Sequence, residues 1–104
     1  IWTWDADQIV MQYNESHHNR TKTLDGGGFD IDGGVINSIM QYNYSHDNMG
    51  PGFLIAQFSG APLSDNNIIR YNISENDGRK NSVGGIFFWK SSTGAEVRNT
   101  KVYG

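Results

Sequence analysis

One motif returns three times at a constant interval, as QYNESHHN from Gln12 to Asn19, QYNYSHDN from Gln41 to Asn48, and RYNISEND from Arg70 to Asp77. Tyr13, Tyr42 and Tyr71 stand 29 residues apart at each step, and a weaker fourth echo, VRNTKVYG, begins at Val97. A period of this length means that each copy is one structural unit that cannot bury its apolar face alone and must stack on its neighbours. Each motif follows a β-prone stretch: Ile9-Val10-Met11, Ser38-Ile39-Met40 and Ile68-Ile69. Each leads through glycine into a second such stretch, at Gly28-Phe29-Asp30-Ile31-Asp32, Gly52-Phe53-Leu54-Ile55 and Gly85-Ile86-Phe87-Phe88-Trp89. No window holds a 3.6-residue apolar period long enough for a capped helix. The expected fold is all-β: a parallel β-solenoid of about three to four coils, with residues 1–104 as a single segment of a longer solenoid or of an oligomer.

Stacked coils place equivalent positions about 4.8 Å apart. Asn14, Asn43 and Asn72 are then expected to form an amide ladder between coils, of the kind that ties stacked strands together. Each begins an N-x-S sequon, but the sequons come with the repeat, so glycosylation is not inferred.

Composition narrows the function classes. Thirteen glycines, two prolines and 12% aromatic residues describe a chain of many turns that still owns a core. The net charge is −3 and the eight Lys and Arg are scattered singly, which excludes the basic stripe that a nucleic-acid partner needs. No apolar run approaches the roughly 18 residues of a membrane span. The chain starts at Ile1, from which we expect that a leader or upstream part was removed or that it is a fragment. The absence of cysteine excludes disulfides and zinc-thiolate sites and leaves the compartment open.

Asn48-Met49-Gly50-Pro51-Gly52-Phe53, following Met40-Gln41-Tyr42-Asn43, resembles the repeat of right-handed parallel β-helix proteins of the pectate-lyase-like superfamily. The segment from Asp25 to Phe53 is especially similar to secreted bacterial members. The resemblance covers nearly the whole chain. It implies a right-handed parallel β-helix, a secreted or cell-surface location, and a polysaccharide partner. Members are mostly lyases, hydrolases and esterases, alongside phage tailspikes and adhesins. They normally carry more coils and an end cap, so self-association through exposed solenoid ends is expected here. No catalytic signature of the superfamily is complete, and no catalytic residue is transferred from it.

The candidate chemistry comes from the residues. Alternation along Phe29-Asp30-Ile31-Asp32 puts the apolar pair on one face and Asp30 and Asp32 on the other, facing solvent. Two strand positions separate the acids by roughly 6.6 Å at the backbone, near the lower edge of the roughly 6.5–9.5 Å used by inverting glycosidases. Three readings stay open: solubilising charges, a calcium site at Asp25, Asp30 and Asp32, or acid/base catalysis by Asp30 and Asp32. With Phe29, Phe53 and Ile86 as equivalent inward positions, Leu54 and Ala56, then Phe87 and Trp89, become outward neighbours of the acids, with Trp2 and Trp4 one coil below. Trp2, Trp4, Phe87 and Trp89 are therefore the candidate sugar-stacking residues, with core or cap packing as the alternative for the tryptophans. His17, His18 and His46 are expected in turns, as a polar ladder or as a metal or proton-shuttling group. The function expected is polysaccharide cleavage on this acidic and aromatic strand face, by hydrolysis or elimination; the alternative is a non-catalytic carbohydrate-binding or structural, adhesive module.

Overall fold

The computed structural model describes residues 1–23, 25–80 and 82–104. Thirteen short strands, numbered in chain order, occur among them, and every pairing is parallel. One sheet runs in the order β1 (Trp2–Thr3), β4 (Phe29–Ile31), β7 (Phe53–Gln57), β11 (Ile86–Lys90). A second contains β3 (Glu15–His17), β6 (Tyr44–His46) and β10 (Ile73–Glu75). A third contains β2 (Val10–Gln12), β5 (Ile39–Gln41), β9 (Ile68–Arg70) and β13 (Lys101–Tyr103), and β8 (Ser64–Asp65) pairs with β12 (Val97–Arg98). Neighbours in each sheet come from successive copies of the repeat, so the chain winds as an all-β parallel solenoid of about three turns, measuring 30 × 27 × 18 Å.

The register is the one the repeat predicts. Phe29 pairs with Phe53 and Phe53 with Ile86, while Met11, Met40, Ile69 and Val102 form another column. The constant 29-residue period hides unequal connections. Residues 47–52 join β6 to β7 where 18–28 join β3 to β4, and the second coil recovers the difference between β7 and β9. The core is a stack of apolar columns: Met11, Met40 and Ile69, then Phe29 on Phe53, then Ile31 on Ile55, with Val35 alongside. The Phe29 and Phe53 rings lie 5.2 Å apart and nearly parallel.

Corners are made by a two-residue device. A residue in the left-handed region, such as Tyr13, Tyr42 and Tyr71 or His18, Asp47 and Asn76, turns the chain, at a cost of roughly 1–2 kcal/mol for a non-glycine residue. The residue after it sends a polar side chain to the next coil. Asn14 Nδ2 donates to Asn43 Oδ1 and Asn43 Nδ2 to Asn72 Oδ1, both at 3.1 Å, which is the expected ladder. A second ladder, Asn19 to Asn48 to Asp77, follows the next corner. Asn43 is 2% exposed and its amide is fully engaged, so it is a structural residue rather than a glycan acceptor.

Candidate functional site

The outer face of the β1-β4-β7-β11 sheet collects the acids and aromatics singled out from the sequence. Trp2 pairs with Asp30, Asp30 with Leu54 and Leu54 with Phe87, so these four form one outward column. Ala56 pairs with Trp89, and continuing the same register places Asp32 between Trp4 and Ala56. Trp2, Trp4 and Trp89 are 67%, 48% and 44% exposed, while Phe87 is half-buried. Phe88 is the inward member of its strand, opposite Ile55.

The acids differ from the solvent-facing pair expected. Both lie on the outward side but are half-buried, because alternation decides which face a side chain leaves from, not how much its neighbours cover. Asp30 Oδ1 is buried and has no hydrogen-bond partner among the described residues. Burial first, then the adjacent carboxylates of Asp32 and Asp25, push the Asp30 carboxyl up to about 7. Asp32 Oδ1 accepts the Gly33 N–H at 2.7 Å. Asp25, Asp30 and Asp32 do not bring three ligand atoms within 4.8 Å of one another, so the structure does not gather the trio considered for calcium.

The shift of Asp30 makes stability depend on pH. Between the ordinary value of 3.8 and about 7 the folded state holds a proton that the unfolded chain has lost. Stability therefore falls as pH rises through that interval. Asp30→Asn should flatten this slope and melt higher than the parent at pH about 7.5. Melting curves across the pH range check this, and parallel curves for the two proteins would contradict it.

The second locale was only partly legible. His17 and His46 are strand residues ending β3 and β6 rather than turn residues, and they pair with each other; His18 occupies the following bend. His46 Nδ1 lies 2.8 Å from Asp47 Oδ2, and its Nε2 lies 2.8 Å from Glu15 Oε1. Hydrogen bonds to the Asp47 and then the Glu15 carboxylate raise the His46 pKa, and the bonds with His46 and Asn76 lower that of Asp47. Sequence reasoning missed Glu15 and Asp47. The only signal was that Asp47 takes the repeat position of His18, next to His46.

Two clefts border these elements. One, of about 390 Å³, is lined by His18, Asp47, Met49 and the basic side chains of Arg20, Arg79 and Lys80. The other, of about 250 Å³, is the apolar core opening at the last coil between Phe53, Ile69 and Ile86. Neither includes Asp30 or Asp32.

No curated protein and no solved structure matches the chain. The family model for the right-handed β-helix region matches residues 1–102. With its parallel coils in register over that span, the chain belongs to the right-handed β-helix family.

Proposed function

We propose that this β-helix acts on a polysaccharide laid along the outer face of the β1-β4-β7-β11 sheet and cleaves it, with Asp30 as general acid and Asp32 as the partner carboxylate. The observation that carries the reading is Asp30 itself: a carboxyl whose burial pushes it up to about 7, with an oxygen unpartnered among the described residues, two positions before a second acid just past the end of β4. Glycoside hydrolysis uses two neighbouring carboxyl groups, one giving a proton to the leaving oxygen and the other activating water, and a carboxyl that burial keeps protonated suits the first role. Trp2 directly below Asp30, and Phe87 and Trp89 above, offer ring faces on which sugars stack. An extracellular location of the secreted bacterial type, and kinship with the pectate-lyase-like enzymes, belong to the same proposal. So does self-association through the last coil, where the inward Ile86 and Phe88 are 47% and 49% exposed.

The test is a panel of polysaccharides assayed for new reducing ends. Asp30→Asn is expected to slow cleavage by about 10²–10⁴-fold, the usual worth of a positioned acid, and parent activity should decline as pH rises through about 7. Unchanged cleavage in both Asp30→Asn and Asp32→Asn would overturn the assignment. One observation favours a second reading, a non-catalytic carbohydrate-binding module: the acids lie outside both clefts. Glycan binding that is lost with Trp2→Ala, without cleavage of any glycan, would select it.

A further inference from the structure

Where the second sheet ends, side chains from two successive coils meet away from the acidic face. His18 and Asp47 occupy the same left-handed bend of their coils, and His46 precedes Asp47 at the end of β6. Each of the three offers a ligand atom, and these atoms lie within 4.8 Å of one another. The geometry points to a transition-metal site of the Zn²⁺ class formed by His18, His46 and Asp47, with its fourth position open to the 390 Å³ cleft.

The donor set selects the class of ion. Two imidazoles and one carboxylate suit a borderline ion in four-coordinate geometry, and three protein ligands with one open position are the pattern of accessible zinc sites. Calcium, which takes six to eight oxygens, is a poor match. Ligands about 2.0–2.1 Å from a tetrahedral zinc stand about 3.3 Å apart. His46 Nδ1 and Asp47 Oδ2 are already at 2.8 Å, and exposed His18 brings the third ligand atom within 4.8 Å of the other two, so small adjustments close the site on an ion.

The surroundings hold these ligands in place, as supporting shells of metal sites do. His46 Nε2 is anchored on Glu15 Oε1 at 2.8 Å, and the Tyr44 ring stacks on His46 with centroids 4.5 Å apart. Asn76 Nδ2 donates to the free oxygen of Asp47, Oδ1, at 2.5 Å. His17 Nδ1 meets His18 Nδ1 at 2.7 Å.

A rival trio, Glu15, His17 and His46, also has its ligand atoms within 4.8 Å. Its two imidazoles are stacked, 8° from parallel, so their in-plane lone pairs run side by side. The His18 and His46 rings lie 84° apart, an arrangement in which lone pairs can converge on one ion. Arg20, Arg79 and Lys80 around the open position make water or a small anion the matching fourth ligand.

Titration of the purified protein with Co²⁺ tests the site. One ion per chain should bind with the intense visible bands of four-coordinate cobalt, Zn²⁺ should displace it, and Ca²⁺ should not. His18→Ala and Asp47→Asn should each weaken binding at least tenfold, while His17→Ala should weaken it less. Both positions are at the surface, and circular dichroism verifies that the variants remain folded. Absence of cobalt uptake at micromolar concentrations would overturn the proposal. So would loss of binding in His17→Ala with retention in His18→Ala and Asp47→Asn, which assigns the ion to the rival trio.

Discussion

Phe53→Ala is expected to destabilise the protein by about 3–5 kcal/mol, the range for removing a buried phenylalanine ring. Phe53 is 1% exposed and sits in the middle of its column, its ring stacked on Phe29 below and its backbone paired with Ile86 above. A globular core would partly collapse into the void. Here the coils cannot close, because their separation is fixed by the strand hydrogen bonds on either side, Phe29 N–H to Gly52 O at 2.9 Å and Phe53 N–H to Gly85 O at 2.8 Å. The cavity therefore persists, and its cost adds to the lost transfer energy. A chain of this size has a total stability of about 5–15 kcal/mol, so the variant should melt at least about 12 °C lower. Ile86→Ala, at the same column position but half exposed, should cost less than about 1 kcal/mol because that side chain gains little from burial. Thermal and urea unfolding of the two variants decides the matter; equal losses would mean that the column does not carry the core.

The contrast between Phe53 and Ile86 explains what could be read from the sequence. The column Phe29, Phe53, Ile86 was legible because a parallel solenoid puts equivalent residues in register, and glycine marks the start of the strand in every copy. The amide ladder was legible for the same reason. The second ladder lay inside the same motif but ends in Asp77 instead of asparagine, which concealed its chemistry. A residue in mid-ladder must donate and accept, whereas Asp77 only accepts, from the N–H and Nδ2 of Asn48, so a carboxylate serves there. Asp30 and Asp32 were placed on the correct face, yet how far Asp30 is covered depends on the coils stacked on either side of it, where Trp2 and Leu54 are its register partners, and alternation does not weigh that. The grouping of Glu15, His18, His46 and Asp47 was least legible. It joins an outward strand residue to a bend residue of another coil, and the bend position changes from His18 to Asp47 to Asn76.

Asn43→Leu, which keeps the branched shape and the number of heavy atoms, is expected to cost about 2–6 kcal/mol by stranding two buried polar groups, at about 1–3 kcal/mol each. The loss comes from the groups that Asn43 leaves behind. Its Oδ1 accepts the Asn14 backbone N–H and Asn14 Nδ2, and its Nδ2 donates to Met11 O at 2.9 Å and to Asn72 Oδ1. Leucine satisfies none of them, and with Asn43 2% exposed, water has no path to replace it. The corner would then keep the strained left-handed Tyr42, with φ of 53°, but lose the bonds that hold the turn closed. Asn14→Leu removes the same side chain from the lower end of the ladder, where Asn43 Oδ1 still accepts the Asn14 backbone N–H and the other partner, Gln12 O, is open to solvent. Its cost should stay below about 1.5 kcal/mol, the net worth of an ordinary hydrogen bond. The measurement is urea unfolding of both variants, with hydrogen exchange at the Asn14 amide. Slow exchange there in Asn43→Leu, or equal losses of stability, would show that the stacked strands hold the corner without the ladder. If Asn43→Leu is the costlier, the repeated asparagine exists because a parallel coil must turn a corner in a dry interior and still pair every backbone group it exposes there.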